Sequence, residues 1–517
     1  MSLRSLGIQV EEEPPIGRIL AITTIVVAVS ITAVALARSV GMTPDGAVYQ
    51  SVAQHLAIGQ GYTDYTGSSV SVFPPGVPIL LAFLIWVGAS PHTAWVLVNV
   101  GALATYLLAT WALLRLVVAS MWVRLSLLAV VAFVVAGTGV FTAALSDPLF
   151  AALAAVFVLV TARLVDRPSD RTGPWFALAG SVAALSFVAK YSGAFYVAAI
   201  IGLVVVLTRR ARLVIVTALV ALGVPTIVLA WNQAATGSLM GQRLPSAISP
   251  VANAKDAAVT LARFFALWPA PKMLEAVGFI AFVVAVLVLR SRPVRHRSVA
   301  IWLGVLAAGF PIFMVISAST APLNSLDSRL LLPALLPFVA LVGCVIDPWA
   351  ERVTSQVALR QIGIVAGVGA VSIAGGVGLL LSVQHATQDD MTVWNDPKIS
   401  QALAEIKPSS RIHSNAPDVV WFYTDRDAYW TPSETAYQST YRPKELPAFL
   451  EYMKCAGPVS IVWLYHPPDS GLYSIQSIVP GAIAHDPITV IVKNARGASS
   501  KSCVNPRSFG QGTGLRS

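Results

Sequence analysis

The strongest constraint on this chain is a succession of apolar runs of roughly bilayer length, separated by short polar clusters. A helix rises about 1.5 Å per residue, so about 20 apolar residues cross a hydrocarbon core. Such runs occupy 19–37, 93–114, 125–145, 149–165, 174–189, 193–207, 213–231, 273–289, 299–317, 330–346 and 361–383. Charged residues make up only 12% of the chain, against about 25% in a soluble protein. The sequence therefore predicts an α-helical polytopic membrane protein of about eleven transmembrane helices. The first run follows a polar Glu11-Glu12-Glu13-Pro14-Pro15 stretch and has no clear small-residue cleavage site, so it reads as a retained anchor.

A further apolar run, 77–89, has only 13 residues and suits an interfacial or re-entrant segment. Charge tests that choice. With the N-terminus inside, the inner loops hold sixteen arginines: Arg4, Arg18, Arg115, Arg124, Arg163, Arg167, Arg171, Arg209, Arg210, Arg212, Arg290, Arg292, Arg295, Arg297, Arg352 and Arg360. The outer loops before the tail hold six basic residues: Arg38, Arg243, Lys255, Arg263, Lys272 and Arg329. That is a positive-inside bias, and counting 77–89 as a crossing would reverse it. The formal charge of +10 comes from such clusters and gives no reason to expect nucleic acid.

The eleven-span reading puts the segment 42–78 outside the membrane. It carries Asp45 and Asp64 but no Lys or Arg, and it closes on Pro74-Pro75-Gly76-Val77-Pro78. Thr43-Pro44-Asp45 is a helix start, with Thr as N-cap, Pro at the first helical position and an acid in the first turn; Gly59 and Gly61 are stops. Val48, Val52 and Leu56 share one face, and Asp45 and Tyr49 a neighbouring polar one, as in a helix lying along a membrane surface. From about residue 384 the chain turns polar. Strands at 411–414, 459–465 and 489–492 and a helix at 443–453 predict a small α/β domain over 384–496, outside the membrane, with a disordered tail over 497–517. Cys455 and Cys503 both fall outside, where a disulfide is permitted; Cys344 lies in a span and reads as packing.

Several residues carry chemistry. Asp45 reads either as an acid suiting a helix N-terminus or as a reactive carboxylate; Ser146-Asp147-Pro148 offers a second acid at the same outer side, or an ordinary cap. Two acids at outer ends, in a chain poor in acids, point to a shared site, because a carboxylate beside a membrane is costly without a partner or a purpose. No His/Cys/Asp cluster has metal-like spacing, so a general base leads over a metal site, with a divalent ion joining the two acids left open. Lys190 either snorkels to the interface or binds an anion. Arg243 and Arg329 suit a lipid phosphate, although Arg329 also has Asp327 nearby as a local ion-pair partner. His55 reads as a surface polar residue, and Gly59-Gln60-Gly61 lacks the strand and spacing of a nucleotide loop.

The Thr43-Pro44-Asp45…Tyr49 motif, the Ala53…Leu56…Gly59-Gln60-Gly61-Tyr62 motif and the Pro-Pro-Gly-Val-Pro closure together resemble the GT-C membrane glycosyltransferases. The likeness is to the branch of protein mannosyltransferases and lipid A aminoarabinose transferases. Ser146-Asp147-Pro148-Leu149-Phe150 is similar to that branch's second acidic motif, Ala189-Lys190-Tyr191-Ser192-Gly193 to its basic motif, and Ile412-His413-Ser414-Asn415-Ala416-Pro417-Asp418 to the start of its outer domain. The resemblance implies a GT-C fold in a bacterial-type plasma membrane and transfer of a sugar from a polyprenyl-phosphate donor to a lipid, glycan or protein acceptor on the outer face. It implies Asp45 as the base for the acceptor hydroxyl and Asp147 as the assisting acid, with Tyr49, Tyr62, Lys190, Arg243 and Arg329 around the substrate and no organic cofactor. Where the aminoarabinose transferases have a Lys before Pro-Pro, this chain has Phe73, so Lys190 or Arg243 is expected to meet the leaving phosphate. At a helix N-terminus Asp45 is expected to keep a low pKa. The rival readings are a transporter or lipid flippase using Asp45, Asp147 and Lys190 as pathway charges, and a non-catalytic scaffold.

Overall fold

The computed structural model describes residues 15–167, 169, 171–208, 210–241, 246, 248–264, 296–321, 326–353, 394, 396–434, 445–455, 458–464, 473–483 and 488–493. The runs expected at 273–289 and 361–383, Arg243, the Cys455–Cys503 bridge and the tail lie outside what is described. Among the described residues twelve helices come first: α1 (Pro15–Arg38), α2 (Pro44–Ala57), α3 (Gly76–Trp86), α4 (Pro91–Val117), α5 (Met121–Gly137), α6 (Asp147–Asp166), α7 (Gly173–Ala189), α8 (Ala194–Leu207), α9 (Ala211–Thr236), α10 (Pro250–Arg263), α11 (Arg297–Thr320) and α12 (Ser328–Val353). Six of these, namely α1, α4, α6, α9, α11 and α12, contain stretches long and apolar enough to cross a bilayer; α3, α5, α7 and α8 are shorter apolar helices. The chain is a multi-pass membrane protein.

The helices pack around α6, whose small and aromatic residues Ala151, Ala154, Phe157 and Val158 are buried on several sides. Thr161 returns its hydroxyl to the Phe157 carbonyl and accepts the Trp302 indole, so this polar atom in the apolar core is satisfied. The helix ends fall into two groups. At one end Asp347 of α12 accepts the backbone N–H groups of Ala119 and Ser120 between α4 and α5, and His296 before α11 meets Asp166 of α6 at 2.7 Å. At the other end lie the close of α1, all of α2, and the starts of α6 and α12.

Two expectations are corrected. The run 125–145 is not one helix: α5 stops at Gly137, and 138–146 folds back across the site end. Gly139 takes φ +65 there, and Gly41 bridges to Ala143 in parallel, with Gly41 N–H on the Thr142 carbonyl at 2.9 Å and Ala144 N–H on the Gly41 carbonyl at 2.7 Å. Backbone groups paired this way have no need of a helix. Nor does α2 lie free on a membrane surface. Its Gly46, Ala47, Tyr49, Val52 and Ala53 are buried against α3, the 138–146 segment and the C-terminal domain.

The 77–89 run forms α3, whose 11 residues rise about 16 Å, too little to cross. The 174–207 stretch is two helices joined by a tight turn at Lys190–Gly193. A Cβ on Gly193 would fall 2.3 Å from backbone atoms of Ser186 and Phe187, so only glycine closes that turn.

The C-terminal domain holds α13 (Pro397–Ala404), β1 (Arg411–Ser414), α14 (Pro417–Thr424), β2 (Ala428–Trp430), α15 (Leu446–Cys455), β3 (Val459–Leu464), α16 (Ile475–Ile478) and β4 (Ile488–Lys493). The sheet order is β2-β1-β3-β4, parallel except for β4. Asn415 both donates to and accepts from the Leu464 backbone, tying the end of β1 to β3. Val419, Val420 and Trp421 of α14 share one apolar core with Ala47, Tyr49 and Tyr65 of the first loop. That shared core seats the domain over the site end of the helices.

Candidate active site

The site is assembled by backbone contacts before any charge is considered. Thr43 accepts the Gly46 N–H at 2.9 Å, the expected N-cap of α2, and donates its own hydroxyl to the Ala144 carbonyl at 3.0 Å. Tyr49, one turn on, donates to the Ser146 hydroxyl at 3.2 Å, and Asn99 of α4 donates to the Ala143 carbonyl at 2.9 Å. The α2 start and the α6 start are thereby zipped together, and Asp45 and Asp147 with them. Gly46 permits the approach, since a Cβ there would meet the Ala144 carbonyl oxygen at 2.6 Å. Gly46→Val is expected to open this contact and to lower both thermal stability and any activity that needs the two acids together. Melting curves and kinetics read side by side check this, and wild-type values for both would contradict it.

Each acid faces its own cation. Asp147 is 4% exposed and accepts Lys190 Nζ at 2.5 Å, with the Lys190 side chain 20% exposed. Lys190 is therefore an ion-pair partner in the protein interior, not a snorkelling lysine. Its place is set by the end of α7, where Gly76 of α3 packs so closely on Val188 that a Cβ would fall 2.6 Å from the carbonyl oxygen. Asp45 faces Arg329 Nη1 at 3.9 Å, beyond hydrogen-bond reach, which leaves guanidinium donors to offer. Arg329 Nε is buried with no hydrogen-bond partner among the described residues. Asp327, expected as the local partner of Arg329, lies within its charge field and also accepts the Leu330 N–H at 3.1 Å, capping α12.

The low pKa expected for Asp45 is also corrected. Burial raises it above the ordinary carboxylate value; Arg329 and then Lys190 pull it down, and Asp147 pushes it up again, leaving it raised. Its side chain is nevertheless 42% exposed.

The two tyrosines act as braces. Tyr49 is buried, with its ring edge-on to Phe73 at 5.1 Å, so its part is to link α2 to Ser146 and not to offer a free hydroxyl. Tyr62 donates to the Phe73 carbonyl at 3.2 Å and packs edge-on against Trp231 of α9. Tyr191 donates to the Ser71 carbonyl and accepts from Asn232, and Thr236 bonds Ser71. These contacts fix the Pro-Pro loop to α9. Asn232, a polar residue at the close of an apolar run, was the readable signal for them. Asp64 closes a local turn through Thr66 and Ser68. Among the described residues no group of three His, Cys, Asp or Glu is gathered as for a metal ion.

The fold defined by these elements is shared by two solved structures of ArnT. Among solved structures, the crystal structure of ArnT from Cupriavidus metallidurans in the apo state is similar at 14% identity and TM-score 0.61, covering 91% of this chain and 97% of that chain. The structure of the same ArnT bound to undecaprenyl phosphate has a TM-score of 0.62 over the same shares, also at 14% identity. Arabinosyltransferase EmbB from Mycobacterium smegmatis gives 0.38 at 15% identity over 77% of this chain and 44% of that one. No protein-family model and no curated protein matches the chain.

Proposed function

We propose that the chain transfers a sugar from a polyprenyl-phosphate donor to a hydroxyl of a cell-envelope acceptor, at the outer face of the membrane, with Asp45 as general base. The observation that carries this reading is the pairing of two acids with two cations at one end of the helices: Asp147 with Lys190, and Asp45 with an incompletely occupied Arg329. The bound undecaprenyl phosphate of the structurally similar ArnT supports the choice of donor. The charge bias of the loops supports an outer position for this end and for the C-terminal domain.

The acceptor oxygen forms its bond to the sugar's anomeric carbon while Asp45 takes the hydroxyl proton. The carbon–oxygen bond to phosphate breaks, and its electron pair leaves with the phosphate. Phosphate is a good leaving group, so the protein's task is alignment, proton removal and stabilisation of charge. Arg329 is placed to meet that charge, since its guanidinium is not consumed by Asp45. Lys190 is occupied by Asp147, and the pair orients the α6 start. The raised pKa of Asp45 suits a base, which needs to be ionised yet retain affinity for a proton. A transporter or flippase reading would put its charges near mid-bilayer, whereas here they gather at helix ends.

The direct test supplies purified protein with a panel of labelled polyprenyl-phosphate sugars and membrane extract, with and without chelator. Label is expected to move from one donor class into an acceptor, with release of polyprenyl phosphate. Absence of transfer from every donor by folded protein would contradict the reading, and the chelator arm shows whether a divalent ion joins the acids. Arg329→Gln is expected to lower kcat/KM by about 10²-fold. Its pH profile adds a second signature. Arg329 holds down the pKa of Asp45, so without it the base ionises only at higher pH and the acid limb moves upward. An unmoved limb would separate Arg329 from Asp45.

A further inference from the structure

Arg329, the cation left to meet the phosphate, stands where a helix least favours one. It lies in the first turn of α12, against the positive end of the helix dipole, and no acid shares that turn. The residues just before the helix make up for this. Asp327 supplies an offsetting charge and caps the helix, taking the Leu330 N–H on its carboxylate at 3.1 Å and the Leu331 N–H on its backbone carbonyl at 3.2 Å. The cap leaves one group behind. Leu330 N–H would otherwise reach back four residues to the carbonyl of Leu326, a buried residue whose carbonyl thereby loses its helical donor.

The donor comes from α10. Thr260 gives its hydroxyl to the Leu326 carbonyl at 2.7 Å, and the two residues are 6% and 1% exposed. Buried threonines on other helices behave differently. Thr110, Thr161 and Thr217 each return the hydroxyl to the carbonyl four residues back in their own helix. Asn253, Ala257 and Thr260 follow one another at i, i+4 and i+7 on a single buried face of α10. Asn253 donates to Ser319 Oγ at 3.2 Å, near the end of α11. One end of this face is thus fastened to α11 and the other to the backbone that leads into α12.

We propose that Thr260 is a positioning residue for Arg329: by holding the Leu326 carbonyl it fixes the capped start of α12, and with it the guanidinium that faces Asp45 at 3.9 Å. The proposal rests on the reading of Arg329 as the group that meets the leaving phosphate. Without the hydroxyl, a buried carbonyl three residues before Arg329 has no donor, and the backbone shifts to find one. The guanidinium moves with that backbone. Thr260 acts only through it.

Two measurements test this on the purified protein, using Thr260→Val, which keeps the shape of the side chain, and Thr260→Ser, which keeps its hydroxyl. Amide hydrogen exchange reads the helix start without any substrate. Thr260→Val is expected to speed exchange in peptides covering 327–333 and to leave those covering 147–160 unchanged, with Thr260→Ser close to wild type. Unchanged exchange over 327–333 would overturn the proposal. The second measurement is the dissociation constant for a fluorescent polyprenyl phosphate. Thr260→Val is expected to raise it about tenfold, the worth of one hydrogen bond, and Arg329→Gln to raise it further. In the Arg329→Gln background Thr260→Val is expected to add nothing, because its effect passes through the lost guanidinium. With Arg329→Gln weakened, a Thr260→Val affinity equal to wild type, or effects that simply add, would overturn the proposal. Failure of the proposed function shows differently: Arg329→Gln would bind polyprenyl phosphate as wild type does, and the exchange measurement would still support or overturn the hold of Thr260 on the helix start.

Discussion

Asp45→Asn is expected to lower kcat/KM for transfer by about 10²–10⁴-fold, the range for loss of a positioned general base, while the protein folds. The amide keeps the shape of the carboxyl and can still face Arg329, but it cannot accept the acceptor's proton. Folding is expected to hold because the α2 start depends on Thr43, Gly46 and Tyr49, not on the Asp45 side chain. A folded Asp45→Asn enzyme that transfers sugar at the wild-type rate would remove the assignment.

The second large effect is on stability. Lys190→Met leaves Asp147, 4% exposed, as a buried charge without its ion-pair partner. Breaking one side of such a pair costs about 3–5 kcal/mol, much of it the penalty on the orphaned partner. Melting temperature is expected to fall sharply, and Lys190→Met combined with Asp147→Asn to regain most of the loss, because the second change removes the stranded charge. Recovery of fold without recovery of transfer would show that the pair also orients the site. A Lys190→Met protein as stable as wild type would mean that Lys190 is not the partner on which Asp147 depends.

The first-loop helix could be read from sequence because its signals are local. Thr43, Pro44 and the Gly59 and Gly61 stops act within a few residues of themselves, and α2 begins and ends by them. The short α3 followed from counting residues against bilayer thickness. What joins these pieces is not local. Lys190 and Asp147 are 43 positions apart, and Thr43 and Ala144 are 101 apart. No periodicity announces such pairings.

Apolarity misled in the 125–145 run: Val140, Phe141, Ala144 and Leu145 are buried by protein instead of crossing lipid, and Gly137 and Gly139 were the missed break. The β2 strand, Ala428–Trp430, is too short for alternation to show.

The account stands on a lipid phosphate lying at the end of the helices where Arg329 and the first loop meet. A polyprenyl phosphate carrying a photoreactive group next to its phosphate, crosslinked to the purified protein and mapped by peptide, tests that placement without knowledge of sugar or acceptor. Adducts are expected within 42–78 and around 326–332, competed by unlabelled polyprenyl phosphate and lost in Arg329→Gln. Competable adducts confined to the opposite end, near Asp347 and His296, and unchanged in Arg329→Gln would contradict it.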